Sequence, residues 1–163
     1  MESSGPPLPE AMPVFVDTCV IFAAIYGRAQ DPEAHRQPGA SLTLLELGRA
    51  GVLRLLVSDL VLEEARAVFI RKLPAALPNL DAFLALSVQR VESPGPASVI
   101  EAREAVGDPA DAPVLAAAAE CEARFLVTLN PRHFPTVYGG LAVVTPGELV
   151  RRIRRHLTGL EPA

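Results

Sequence analysis

The chain has 163 residues, half of them hydrophobic, with 19 acidic against 15 basic side chains and a formal net charge of -4. That length fits one domain with a full core, and the acidic balance excludes a protein that wraps duplex DNA through bulk positive charge. Two cysteines, Cys19 and Cys121, no CxxC pair and three scattered histidines exclude a secreted disulfide framework and a structural zinc site.

Met1 to Glu10 is rich in Pro and Gly, with no basic segment followed by an apolar one, so residues 1–12 read as a flexible leader and not a signal peptide. No apolar run reaches membrane-spanning length, and the expected location is the cytoplasm. Residues 13–157 read as a single domain, followed by a tail at 158–163.

Val14, Phe15 and Val16 form an apolar, partly β-branched run that predicts a strand buried on both faces. Asp17 and Thr18 follow at once, where open α/β sheets hold their ligands, although both residues also suit a helix N-cap. Cys19 to Tyr26 predicts a helix stopped by Gly27, with strand as the competing reading. Arg28 to Gly39 reads as a loop. Ser41 to Ala50 has leucines at helical spacing, with Gly51 as the C-terminal cap.

Val52 to Val57 predicts the second strand, and Ser58 and Asp59 open a helix to about Leu73. Pro74 and Pro78 bracket a joint, Asn79 starts another helix to Ser87, and Val88 to Val91 is a short strand. Ala97 to Val106 reads as a helix, GDPADAP at 107–113 as a joint dense in carboxylate, and Val114 to Cys121 as an Ala-rich helix. Arg124 to Leu129 predicts a strand, Asn130 to Phe134 a turn, and Leu141 to Val144 a last strand. Thr145, Pro146 and Glu148 make a capping box before the final helix. Strands alternate with helices throughout, which predicts a mostly parallel sheet covered on both faces.

Three acidic positions share one kind of setting. Asp17 ends the first strand, Glu64 lies on the helix after the second, and Asp111 precedes the Ala-rich helix with Asp108 three residues earlier. Parallel strands bring such positions to one edge of the sheet. Gathered carboxylates repel and raise at least one pKa, and a hard divalent cation with oxygen ligands relieves that cost. Such an ion polarises phosphoryl oxygens and activates water. The competing readings are helix caps for Asp108 and Asp111, and solvent face for at least one of Glu63 and Glu64.

With these residues in place, the chain resembles the PIN-domain family, in particular its VapC-like toxin components of toxin–antitoxin pairs. VFVDT at 14–18, SDLVLEEA at 58–65, DPADAPVLAAA at 108–118 and FLVTLNPRHF at 125–134 carry the resemblance, in the family's order. It implies a three-layer α/β/α sandwich on a five-stranded parallel sheet of order 3-2-1-4-5. It further implies a ribonuclease dependent on Mg²⁺ or Mn²⁺, an RNA substrate, a homodimer and a cognate antitoxin. The acids carried over are Asp17, Glu64 and Asp111, with Asp108 as a companion.

The fourth block departs from the family. Asn130 and His133 stand where an acid is usual. Asn130 offers an amide oxygen, Thr128 and Thr18 offer hydroxyls to a phosphate or a neighbouring acid, and His133 offers an imidazole to phosphate or proton transfer. One metal site is expected from Asp17 and Asp111, with Glu64 contributing directly or through water, and no firm second site. Arg151, Arg152, Arg154 and Arg155 form a basic run on the last helix, read as an RNA or partner patch or as a solvated face matched to the helix dipole.

Two other classes compete. One is a degenerate PIN domain that binds a protein partner without cutting RNA. The other is an unrelated acidic-site enzyme. Against a phosphotransfer hydrolase, no second Asp follows Asp17 by two positions; against a receiver domain, no Lys follows Leu141. No GxGxxG follows the first strand, which speaks against dinucleotide binding.

Overall fold

The structure, a computed structural model, describes residues 10–30 and 39–159. Residues 1–9 of the leader expected at 1–12, most of the loop expected at 28–39, and residues 160–163 of the tail expected at 158–163 lie outside the described residues. Met12, assigned to the leader, opens a strand, and the first helix carries through Gly27 to Gln30 instead of stopping at Tyr26.

The strands are β1 (Met12–Val16), β2 (Leu53–Ser58), β3 (Gln89–Val91), β4 (Phe125–Val127), β5 (Val137–Tyr138) and β6 (Leu141–Val144). The helices are α1 (Thr18–Gln30), α2 (Ala40–Arg49), α3 (Asp59–Lys72), α4 (Leu77–Ser87), α5 (Pro96–Arg103), α6 (Ala112–Glu120) and α7 (Pro146–Thr158). Short 3₁₀ turns cover Pro74–Ala76, Pro109–Asp111 and Pro131–His133.

One six-stranded sheet runs β3-β2-β1-β4-β6-β5. Five of its strands are parallel, in the expected order, and helices flank the sheet to make a three-layer α/β/α sandwich. A sixth strand adds to the five expected: β5 pairs antiparallel with β6 across a turn that holds Gly139 at φ +59°. Two residues are too few to show a period, so the hairpin left no strand pattern in the sequence.

β1 lies at the centre. Val14, Phe15 and Val16 have no exposed surface, because neighbours pair on both sides and helices cover both faces. α3 turns Val61, Ala65 and Phe69 inward at four-residue steps. α6 buries Ala112, Val114, Leu115 and three successive alanines, whose small side chains let its backbone lie close to the sheet. α2 ends in a Schellman motif: the Gly51 amide donates to Gly48 and the Val52 amide to Leu47, with Gly51 at φ +76°.

Gly48 itself sits where α2 presses on its neighbours. A Cβ there would fall 2.6 Å from the Ser87 carbonyl oxygen and 2.8 Å from Leu55 Cγ. Among the described residues, no helix is long and apolar enough to cross a membrane.

Candidate active site

The cleft is built at the carboxyl end of β1. The Asp17 amide donates to the Val127 carbonyl at 3.0 Å, which fixes the acid at the junction of β1 and β4. Its Oδ1 accepts the Thr18 amide at 2.8 Å, and its Oδ2 accepts the Thr128 hydroxyl at 2.8 Å. Thr128 is fully buried one residue past β4, and its amide donates to the Val144 carbonyl at 3.0 Å. Its hydroxyl oxygen also accepts the Asn130 amide at 3.1 Å.

Glu64 arrives from the second turn of α3, whose start is capped by Ser58 accepting the Val61 amide at 3.4 Å. The buried Thr18 hydroxyl donates to Glu64 Oε2 at 2.9 Å. Thr18 therefore holds Asp17 through its backbone and Glu64 through its side chain. Glu63 and Glu64 are both exposed, and it is the bond from Thr18 that ties Glu64 to the cleft.

The two acids of the carboxylate-dense joint have different roles. Asp108 caps the 3₁₀ turn, its Oδ1 accepting the Ala110 amide at 2.9 Å. Asp111 makes no such cap; its Oδ2 lies 3.1 Å from His133 Nδ1. His133 thus reaches an acid of the cleft from the turn after β4, and the Gly107 amide bonds the His133 carbonyl at 2.8 Å to tie the two loops together. Asn130 contributes its backbone amide; its residue is exposed.

Electrostatics show that these groups face one another. Burial pushes the Asp17 carboxyl above its usual value; hydrogen bonds from Thr128, Thr18 and Cys19 pull it back in part, and the Asp111 charge adds to the rise. Asp111 is also raised, first by burial, with His133 opposing and the charges of Asp108 and Glu64 adding to it.

Cys19 belongs to this cleft, although its apolar neighbours in sequence mark it as core. Its Sγ lies 3.5 Å from Asp17 Oδ2 and 3.6 Å from Thr128 Oγ1, and accepts the Leu129 amide at 3.4 Å. Burial, then the Asp17 charge, pushes its thiol up to about 11, so it is a neutral donor at neutral pH. Its position two residues past Asp17, at the start of a helix, was the available signal.

The basic run stands apart on exposed α7. Arg152 donates to Glu148 Oε1 at 2.9 Å and lies 5.5 Å over the Phe125 ring. That bond takes the carboxylate which a full capping box would return to Thr145; only the forward half, Glu148 amide to Thr145 Oγ1 at 3.2 Å, is made. Arg151, Arg154 and Arg155 are exposed or nearly so along the same helix.

Carboxylate oxygens are the right donors for Mg²⁺ or Mn²⁺. The placement is the obstacle: among the described residues, no three of His, Cys, Asp and Glu converge on a point that could hold a metal ion. As placed, the cleft does not fit the expected cation.

A parallel sheet with acids held at its carboxyl edge by strand-end threonines defines an α/β protein with an acidic cleft. The PIN domain profile matches residues 13–132, and the chain belongs to the PIN-domain family. Among solved structures, the chain is similar to PAE2754 from Pyrobaculum aerophilum, with a TM-score of 0.61 and 16% identity over 88% of this chain and 96% of that one. It is also similar to VapBC2 from Rickettsia felis bound to a DNA fragment from their promoter, with a TM-score of 0.58 and 19% identity over 82% of this chain and 98% of that one. A comparison with curated proteins finds no match.

Proposed function

We propose that this chain is a PIN domain that works by binding a protein partner and has no nuclease activity of its own. The observation that supports this reading is the commitment of the cleft. Asp17, Glu64 and Asp111, the three acids expected to share a cation, are each engaged by a protein group: Thr128, Thr18 and His133. In this reading the chain sits in the cytoplasm as a homodimer held by an antitoxin-like partner.

A second reading is a Mg²⁺- or Mn²⁺-dependent endoribonuclease serving as the toxin of a toxin–antitoxin pair. The charge of Asp111 beside Asp17, and of Asp108 and Glu64 beside Asp111, favours it, because crowded acids gain most from a cation. That reading requires the side chains of Asp17, Asp111 and Glu64 to move together around one cation, from placements that do not converge on a point.

One experiment separates the two. Purified chain is incubated with a mixed RNA pool in Mn²⁺, Mg²⁺ or chelator, beside the Asp17→Asn, Asp111→Asn double variant. Intact RNA in every lane, from protein shown to be folded, is the result expected of the binding module. Metal-dependent cutting that the double variant lacks would overturn it in favour of the ribonuclease.

A further inference from the structure

α7 carries four arginines and a single acid in a chain whose formal net charge is -4, so the acidic excess lies entirely outside this helix. Its one acid is already engaged: Glu148 takes Arg152, which also lies over the Phe125 ring. Arg151, Arg154 and Arg155 are exposed, and none of them makes an ion pair among the described residues. They stand three and four residues apart, so they share one side of the helix and repel one another there. The helix dipole favours cations only in the last turn. That accounts for Arg155 and leaves Arg151 and Arg154 without a local reason.

An apolar strip borders these charges. Leu149 is buried beneath the helix, and Ile153 is half-buried one turn on. Val150, Arg154 and Leu157 follow at steps of four and three, so Arg154 stands between two apolar side chains. Val150 is half-buried, and Leu157 is 60% exposed. The outward face of α7 therefore sets three unpaired guanidiniums beside an uncovered leucine. It spans about 10 Å of helix from Val150 to Leu157.

We propose that this face docks a short acidic segment of a partner protein, with carboxylates on Arg151, Arg154 and Arg155 and an apolar side chain on Leu157. The inference deepens the binding-module reading and rests on it for the existence of a protein partner. Charge complementarity selects the acid, because a guanidinium meets a carboxylate through two parallel hydrogen bonds. Two features select a peptide over a nucleic acid. A phosphate backbone has no use for Leu157, and a polyanion longer than this face runs onto a body with an excess of acids. The face is separate from the cleft: none of its residues bonds Asp17, Glu64 or Asp111.

The test is amide-resolved NMR titration of the full chain, labelled with ¹⁵N, with a short peptide of Glu and Leu in equal numbers. Beside it run the same peptide with Gln in place of Glu, the same peptide with Ser in place of Leu, and an oligouridylate of equal charge. The Glu and Leu peptide is expected to shift the amides from Val150 to Thr158 saturably and to bind tighter than the other three. The Arg151→Gln, Arg154→Gln, Arg155→Gln triple variant keeps helix propensity and should weaken it roughly tenfold, since each exposed pair adds little. Leu157→Ser should weaken it several-fold with the rest of the spectrum unchanged.

No saturable shift in α7, equal binding by the triple variant, or tighter binding of the oligouridylate would each overturn the proposal, the last in favour of a nucleic-acid surface. A peptide with Ser for Leu that binds as tightly overturns it too, by reducing the face to bulk charge. These outcomes are independent of the cleft. RNA cutting would sink the binding-module reading without altering the titration, and a silent α7 would sink this inference without altering the RNA lanes.

Discussion

His133 Nδ1 lies 3.1 Å from Asp111 Oδ2, so a group that can be a cation stands on a cleft acid at a place where the PIN resemblance leads one to expect an anion. The pairing opposes the rise that burial imposes on Asp111. Replacing the imidazole by a carboxylate reverses its sign. His133→Asp should lower the melting temperature in chelator, by roughly 2–4 °C for each kcal/mol lost in a domain of this size. Mn²⁺ should restore it and stabilise the variant more than the wild type. Differential scanning fluorimetry with and without Mn²⁺ checks this, and equal Mn²⁺ responses would contradict it.

Thr128 supports the cleft from below. Its buried hydroxyl donates to Asp17 and accepts from Asn130, so Thr128→Val, of the same shape, removes both bonds and leaves Asp17 Oδ2 only the longer contact from Cys19 Sγ. The expected cost is about 1–3 kcal/mol in urea unfolding, with Thr128→Ser close to wild type because it keeps the hydroxyl. Equal losses in both variants would show that packing and not hydrogen bonding decides this site.

The Asp17 carboxyl gives a pH signature with a definite sign. Its pKa is raised in the folded chain, mainly by burial, so the native state holds this proton to higher pH than the unfolded state does. Its contribution to stability is full below the ordinary carboxylate value and is lost as pH rises through the raised one. Asp17→Asn removes that loss. In chelator at neutral pH the variant should melt above the wild type, and the gap should close as pH falls toward the ordinary carboxylate range. A gap that widens on acidification would show the opposite sign of shift.

Gly48 makes a packing prediction far from the cleft. Ala is the better helix former by about 1 kcal/mol, yet the added Cβ would meet the Ser87 backbone oxygen at 2.6 Å. Backbone cannot yield as a side-chain tip does, so overpacking should win, with a net destabilisation of about 1–2 kcal/mol. Chemical denaturation of Gly48→Ala measures it; a more stable variant would mean that α4 moves freely away from α2.

Much of this arrangement is legible in the chain. The apolar runs at 14–16, 53–57 and 125–127 are strands because buried parallel strands need little else, and the acids after them are found by position alone. The helix ends are less so. α1 passes Gly27, where a Cβ would meet nothing within 4 Å, so the glycine neither serves a close contact nor stops the helix. The pairing of His133 with Asp111 joins residues 22 apart through two turns, and no local pattern announces it. Thr18 illustrates the same limit: its place in VFVDT is plain, but that its hydroxyl crosses to Glu64, 46 residues on, follows only from α1 and α3 lying side by side.

The β5 hairpin has a consequence for how copies of this chain meet. A parallel sheet ends in rows of unpaired amides and carbonyls that invite another chain to extend it. At one margin β5 takes up that row and offers in its place a strand of only two residues. At the other, β3 is three residues long and carries Arg90, tied to Asp59. Neither margin is a long template for a further strand, so the fold resists open-ended ribbon growth.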